Sequence, residues 1–357
     1  MKILSVVGAR PQFVKLGPVA SALATRADHV IVHTGQHYDD VMSDAFFRDL
    51  GIPHPDVNLG VGSGPHGEQT GAMMAQLEPI FLEHMPDWVL VYGDTNSTLA
   101  AAVTAVKVHL PVAHLEAGLR SFNRRMPEEH NRVLTDHASD LLLAPTRVAM
   151  DHLAHEGLAA RSLLVGDVMT DVLYAVRDQV LASGTRPSVA AEPGAYYVAT
   201  IHRPDNTDDP AKLKRIVAAL AHLDRPVELL AHPRLRAVAH REGISLDQGS
   251  LHVHEPLPYP QLIATVMGSA GVVTDSGGLQ KEAFLLRVPT TTLRTETEWV
   301  ETVDLGWNVL VTNLDQLKEA VQRPTPLATD ASPYGDGHAA DRVADALLGE
   351  ASPVTVP

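Results

Sequence analysis

Short apolar runs alternate along this chain with longer stretches whose apolar residues recur at helical spacing. Ile3 to Val7 is the first run, followed by a helical pattern carrying Val19 and Leu23, and Val30 to His33 is the second. Trp88 to Tyr92 predicts a strand, Leu99 to Val106 a helix, Leu110 to Ala113 a short strand, and Met126 to Arg132 the start of a helix with proline in its first turn. Asp140 to Pro145 reads as another buried strand, Thr146 to about Glu156 as a helix, and a long helix runs from Val168 to about Leu181. Apolar runs separated by helical patterns at this spacing make βαβ units of a parallel sheet.

The same rhythm restarts after residues 183–194, a linker of Gly, Pro, Ser and small residues. Tyr196 to Thr200 and Val227 to Ala231 are strands, Lys212 to Leu223 is an amphipathic helix, the run Leu257 to Leu262 precedes a helix, and Val272 to Thr274 is a strand. The fold class is therefore α/β with two parallel-sheet domains, 1–168 and 169–337, and 357 residues suit two cores. Residues 51–70, rich in Gly, Pro and His, read as a mobile loop over a site.

Composition narrows the chemistry. A net charge of −15, from 28 basic and 43 acidic residues, argues against nucleic acid or an anionic membrane as partner. With no cysteine, disulfides, Cys-ligated zinc and Cys nucleophiles are excluded. The apolar run at the N-terminus is short and soon interrupted by Arg10 and Lys15, so it reads as a first strand rather than a signal peptide. No window is apolar enough to span a bilayer, and a cytoplasmic protein is expected.

Ligands of open parallel sheets sit outside the carboxyl ends of the strands. Three acids fall there: Asp94 after one strand, Glu116 after the next, and Glu128 at a helix start. Each alone could be a helix cap or a solvated charge. Together they suit acid/base chemistry, since carboxylates set side by side raise one another's pKa. Gly8 at the first strand-to-helix turn is followed by Arg10, a planar fork suited to phosphate, and by Lys15. Thr34-Gly35-Gln36-His37 is a second polar rim loop. In the second half, His202 and His232 each sit just past a strand beside an arginine, and Asp275-Ser276-Gly277-Gly278 opens a helix as an amide-lined anion cradle. Glu282 lies a turn further on, within reach of a ribose. No HExxH spacing occurs in the chain, and metal catalysis is not expected. Two such domains imply a cleft in which cations and the Ser-Gly-Gly turn hold a diphosphate while carboxylates face the group attached to it. That is the layout of a nucleotide-sugar enzyme.

Gly8-Ala9-Arg10-Pro11 with Lys15, Gly35-Gln36-His37, Tyr92-Gly93-Asp94-Thr95 and His114-Leu115-Glu116-Ala117-Gly118-Leu119-Arg120 come first in an ordered set of motifs. Pro127-Glu128-Glu129, Asn131-Arg132, His202-Arg203, Asp275-Ser276-Gly277-Gly278 with Gln280 and Glu282, and Thr295-Glu296-Thr297-Glu298 complete it. With them the chain resembles, almost end to end, the non-hydrolysing UDP-N-acetylglucosamine 2-epimerases, whose two Rossmann-like domains face a cleft in the GT-B architecture. The resemblance implies interconversion of UDP-GlcNAc and UDP-ManNAc by elimination of UDP to a 2-acetamidoglucal and re-addition, with no cofactor, no metal and a UDP-sugar as partner. It implies that Asp94, Glu116 and Glu128 are the acid/base set, that Lys15 supports them and that His202 assists the leaving diphosphate. Arg10, Ser276, Gly277 and Gly278 would serve the phosphates and Glu282 the ribose; Gln36, His37, Arg132 and His232 complete the expected binding set. A homodimer, and a last helix at about 338–349 packed back on the first domain, are implied too.

Two departures matter. The family's His-Arg-x-Glu-Asn is here His202-Arg203-Pro204-Asp205-Asn206, and Tyr38 replaces the arginine of the family's Gln-His-Arg loop, which speaks against activation by a second UDP-GlcNAc. Arg120-Ser121-Phe122-Asn123 and Thr297-Glu298-Trp299-Val300-Glu301 look like the branch containing UDP-2,3-diacetamido-glucuronate 2-epimerases. The rivals from other classes are a GT-B glycosyltransferase using a UDP-sugar, a hydrolysing epimerase and a non-catalytic sugar-nucleotide sensor.

Overall fold

The computed structural model describes residues 1–36, 52–189 and 191–350. They form two compact units, Met1–Val172 with the segment from Ser332 onward, and Leu173–Ala331. The first is built on β1 (Lys2–Val7), β2 (Asp28–His33), β3 (Val57–Asn58), β4 (Trp88–Tyr92), β5 (Val112–Leu115), β6 (Leu141–Ala144) and β7 (Ser162–Leu164). These seven strands pair in the order β3-β2-β1-β4-β5-β6-β7, all parallel. Its helices are α1 (Arg10–Leu23), α2 (His66–His84), α3 (Asn96–Lys107), α4 (Pro127–Ala138) and α5 (Arg147–His155), and α6 (Val168–Ser183) runs on into the second unit.

The second sheet consists of β8 (Tyr197–Thr200), β9 (Val227–Leu230), β10 (Leu251–His254), β11 (Gly271–Thr274), β12 (Thr290–Thr292) and β13 (Asn308–Leu310). Its order is β10-β9-β8-β11-β12-β13, again all parallel. Its helices are α7 (Pro204–Thr207), α8 (Pro210–Ala221), α9 (Pro233–Arg241), α10 (Tyr259–Met267), α11 (Gly277–Leu285), α12 (Val300–Asp304) and α13 (Leu317–Val321). The last helix, α14 (Ala339–Leu348), returns to the first unit, where Val343, Ala344 and Leu347 share a core with Val19 and Leu23 of α1. Asp171 starts that helix by accepting the backbone N–H groups of Ala339 and Ala340 at 3.1 and 2.7 Å.

Both sheets are covered on both faces, which is why strands such as β4 and β6 are runs of apolar residues. Ile3 and Val7 face the core shared with α1 and α14, whereas Leu4 and Val6 face the one built by α2 and α3. In each sheet the order reverses beside the central strand, between β1 and β4 and between β8 and β11. Such a reversal opens a crevice at the carboxyl ends of the two strands. Gly8 and Gly93 follow the first pair, and Ile201 and Asp275 the second. Among the described residues, no helix is long and apolar enough to cross a membrane.

The elements differ from the sequence pattern in three places. The expected loop over 51–70 ends at Pro65, because α2 begins at His66 and buries Gln69, Met73, Leu77 and Phe81 at four-residue spacing. Gly67 and Gly71 lie on its open side and do not interrupt that stripe. Strand β5 runs over Val112–Leu115 instead of 110–113. Pro111 has no N–H to give the ladder, so pairing begins after it and His114 becomes part of the strand. Helix α10 starts inside the Leu257–Leu262 run, with a proline in its first turn.

The turn after β1 has no room for a side chain. A Cβ on Gly8 would lie 2.0 Å from Ser97 Oγ and 2.2 Å from Thr34 Oγ1, two buried hydroxyls that bond each other at 2.8 Å. Gly8→Ala is therefore expected to destabilise the first unit by about 1–3 kcal/mol, read from urea unfolding, through overpacking.

Candidate active site

In the first unit, the backbone itself sets the acids. Gly93 has φ +60° and Glu116 φ +75°, a left-handed conformation that a non-glycine residue holds only when its surroundings enforce it. Three backbone bonds do so: Gly93 N–H donates to the Leu115 carbonyl at 3.0 Å, and the N–H groups of Glu116 and Ala117 donate to the Leu143 carbonyl at 3.0 and 3.2 Å. A Cβ on Gly93 would meet Glu116 Oε2 at 3.1 Å and Lys15 Nζ at 3.7 Å, so the acid and its cation lie against the bare glycine.

Each of the two strand-end carboxylates faces its own cation. Lys15, from α1, forms an ion pair with Glu116. Burial disfavours the lysine's charge, but Glu116, with Asp167 and Asp94 nearby, outweighs it and lifts the Lys15 pKa above its ordinary value. Asp94 receives Arg132 Nε and Nη2 on one oxygen at 2.9 and 2.7 Å, and its carbonyl accepts Asn131 Nδ2 at 2.9 Å. The sequence pattern predicts carboxylates set side by side; the structure pairs each of Asp94 and Glu116 with a cation of its own.

Helix α4 supplies most of this support. Glu128, Arg132 and Asp136 are four residues apart and so share a face. Glu128 is exposed on the first turn, with no ion-pair partner among the described residues. Its neighbour Glu129 is buried and accepts Ser121 N–H, Ser121 Oγ and Phe122 N–H at 2.8 Å each, together with Arg132 Nη1 at 3.0 Å. Asp136, fully buried, contacts His114 Nδ1 and Arg120 Nη1 at 2.7 Å and accepts Gly118 N–H at 3.1 Å. Burial opposes the Asp136 charge, yet His114 and Arg120 prevail and hold its carboxyl below the usual range.

Of the remaining expected residues in this unit, Arg10 is exposed at the start of α1. Gln36 is turned into the fold, its side-chain oxygen accepting Ser97 N–H at 2.9 Å and Ser97 Oγ at 2.7 Å. His37 lies outside the described residues.

In the second unit, a buried aspartate organises the loop. Asp275 accepts the backbone N–H groups of His202 and Arg203 at 3.1 and 3.0 Å and Asn206 Nδ2 at 3.0 Å. It also lies 3.2 Å from His202 Nδ1. His202 is thereby fixed at one ring nitrogen, and its Nε2 has no partner among the described residues. The ring of His232 stands 5.9 Å from that of His202, and its Nδ1 caps α9 by accepting Arg234 N–H at 3.2 Å. Ser276 caps α11 with its hydroxyl toward Leu279 N–H at 3.4 Å. A Cβ on Gly278 would meet nothing within 4 Å, whereas one on Gly277 would fall 2.2 Å from Glu298 Oε1. Glu298, bonded to Arg294 Nη1 at 2.7 Å, thus lays its carboxylate over the first turn of α11. Anions are favoured at such a helix start, so Glu298 occupies ground that a phosphate would take. Glu282 accepts the Tyr259 hydroxyl at 2.9 Å, and burial raises its pKa.

Sequence reasoning passed over Glu129, Asp136, Asp275 and the Arg294–Glu298 pair as site residues. The i,i+3 spacing of Glu129 and Arg132 and the position of Asp275 at the end of β11 were visible signals. The pairing of Asp136 with His114 across 22 residues had none. Among the described residues, no three His, Asp or Glu side chains gather as a metal site.

The comparisons with known proteins bear on this geometry. The family model for UDP-N-acetylglucosamine 2-epimerase matches residues 21–348. The UDP-2,3-diacetamido-2,3-dideoxy-D-glucuronate 2-epimerase of Pseudomonas aeruginosa is 47% identical over 97% of this chain and 99% of its own. The UDP-N-acetylglucosamine 2-epimerase of Methanocaldococcus jannaschii is 38% identical over 96% of this chain and 98% of its own. The crystal structure of a Methanocaldococcus jannaschii UDP-GlcNAc 2-epimerase in complex with UDP-GlcNAc and UDP superimposes with a TM-score of 0.79 at 36% identity, covering 98% of this chain and all of that one.

If Glu298 competes for the start of α11, Glu298→Gln removes one negative charge from it. Calorimetric titration with inorganic pyrophosphate is expected to show affinity raised by about three- to tenfold. An unchanged affinity would mean that the carboxylate does not oppose an anion there.

Proposed function

The chain belongs to the UDP-N-acetylglucosamine 2-epimerase family, and from that premise we propose that it inverts C2 of a UDP-linked 2-acetamido sugar, UDP-GlcNAc to UDP-ManNAc, without hydrolysing it. The observation that carries the reading is the pair of strand-end carboxylates, Asp94 and Glu116, each held by its own cation, with Glu128 exposed one helical turn before Arg132. The hydrogen on C2 is not acidic, so direct deprotonation is a poor route. Elimination avoids it: a carboxylate takes the C2 proton while the C1–O bond breaks, the C–H electrons become a C1=C2 double bond, and UDP departs with the C1–O pair. Re-addition reverses these steps, with UDP oxygen attacking C1 and a proton reaching C2 from the opposite face.

Such a sequence needs proton-transfer groups for both faces and a site that stabilises the departing diphosphate. Asp94, Glu116 and Glu128 supply the first, with Lys15 and Arg132 keeping two of them in place. Arg10, the Ser276-Gly277-Gly278 turn and the Nε2 of His202 supply the second, and Glu282 takes the ribose hydroxyls. The Methanocaldococcus jannaschii relative, whose structure holds UDP-GlcNAc and UDP, supports a UDP-sugar as the ligand.

A second reading of the substrate rests on the 47% identical relative, whose sugar is a 2,3-diacetamido uronate. It leaves the chemistry at C2 untouched and changes only the groups at C3 and C6.

Incubation in D2O with each UDP-sugar separately, followed by NMR of C2, tests both readings. Deuterium at C2 together with the C2 epimer, in the absence of any acceptor, is the expected result; the sugar with the higher kcat/KM is the substrate. Asp94→Asn, Glu116→Gln and Glu128→Gln are expected to keep UDP binding and to lose exchange by roughly 10²–10⁴-fold. Wild-type exchange in all three variants would overturn the assignment.

A further inference from the structure

Beneath Glu116 lies a buried chain of charged groups for which the proposed chemistry has no use. His114, on β5, contacts the Gly93 carbonyl through Nε2 and Asp136 through Nδ1, both at 2.7 Å. Asp136 passes the contact to Gly118 N–H at 3.1 Å and to Arg120 Nη1 at 2.7 Å. Arg120 closes the chain on Glu156 with a fork, Nε and Nη2 each reaching one carboxylate oxygen at 2.7 and 2.8 Å. His114 and Asp136 are fully buried, the Arg120 side chain is 1% exposed, and only Glu156 reaches solvent.

Burying three charged or polar side chains in a row is costly unless every group is bonded, and here each one is. The placement of the chain's ends is more informative than its stability. One end holds the carbonyl of Gly93, the residue before Asp94. Its middle holds the N–H of Gly118, two residues after Glu116. The two turns carrying the candidate acids are both left-handed, at Gly93 φ +60°, Glu116 φ +75° and Gly118 φ +84°. A single imidazole–carboxylate pair links one turn to the other in three bonds: Gly93 carbonyl to His114, His114 to Asp136, and Asp136 to Gly118 N–H. Asp136 also lies one helical turn beyond Arg132, which grips Asp94, so α4 touches both turns.

We propose that His114 and Asp136 are positioning residues that fix the Asp94 and Glu116 turns relative to each other, with Arg120 and Glu156 as their buttress. The catalytic part of this inference rests on the proposed epimerase chemistry; the mechanical part does not. Proton removal on one face and delivery on the other require two acids held at a set separation. A displacement of about 1 Å at a reacting group costs on the order of 100-fold in rate.

The test uses the full-length chain, with Asp136→Asn as the main variant and Glu156→Gln as a second that leaves the buried carboxylate in place. Hydrogen–deuterium exchange of the backbone amides gives the mechanical readout. In Asp136→Asn, peptides covering 93–95 are expected to exchange faster along with those covering 116–118, although Asp136 touches only the latter directly. Glu156→Gln is expected to loosen both turns to a smaller extent. Exchange at 93–95 that stays at the wild-type rate in both variants overturns the linkage, whatever the enzyme's substrate proves to be.

The catalytic readout is the fate of the UDP-sugar in D2O. Asp136→Asn is expected to lose on the order of 100-fold in kcat with KM within about threefold. A larger share of its turnovers should end as free glycal and UDP, because the second proton transfer is mistimed. A variant that is merely less stable would lower total activity and leave that share unchanged, which overturns the positioning role. A wild-type chain showing no C2 exchange with either UDP-sugar would instead remove the epimerase reading, and the amide-exchange result would then decide the linkage alone.

Discussion

Carboxylates at the carboxyl ends of parallel strands sit where the fold leaves an opening, and left alone they would repel each other and drift. What holds them in the first unit is a cation reaching in from another element: Lys15 from α1 to Glu116, and Arg132 from α4 to Asp94. Both pairs are largely shielded from water, so their attraction is stronger than that of a surface ion pair. The bare Cα of Gly93 makes the first pair possible by letting Glu116 and Lys15 lie against the backbone. That arrangement accounts for the glycine at 93, while the backbone bonds to Leu115 and Leu143 hold the left-handed turns beneath it.

A second device recurs in each unit taken by itself. A buried aspartate accepts backbone N–H groups from a rim loop and so fixes a nearby functional side chain. Asp136 does this for Gly118 below Glu116, and Asp275 does it for His202 and Arg203. In both, an imidazole nitrogen lies against the same carboxylate, at 2.7 Å for His114 and 3.2 Å for His202. The two histidines differ in outlook. His114 uses both nitrogens inside the protein, whereas His202 has no partner for Nε2 among the described residues, which is why the latter belongs to the proposed chemistry and the former to its support.

The fold class was legible because both sheets are parallel and buried on two faces, leaving apolar runs such as Val89–Tyr92 and Leu141–Ala144. The family was legible in motifs clustered at strand ends, which is where ligand chemistry concentrates in such sheets. Helix α2 was hidden by the glycines on its open side, although its buried stripe keeps a strict four-residue spacing. Choosing between Glu128 and Glu129 as the inward residue needed the angle of α4, which adjacent identical residues cannot reveal. The cation partners of Asp94 and Glu116 lie 38 and 101 residues away, and the His114–Asp136 contact spans 22. Contacts of that range belong to tertiary packing and leave no periodic trace.

The claim on which the rest stands is that Lys15 acts through Glu116 rather than on its own. A double-mutant cycle on the C2 exchange rate, comparing Lys15→Met, Glu116→Gln and the two combined, measures this directly. The account predicts that the double variant is no slower than Glu116→Gln alone, because without the carboxylate the lysine has nothing to hold. Losses that multiply would show that the lysine serves a separate step, and would contradict it.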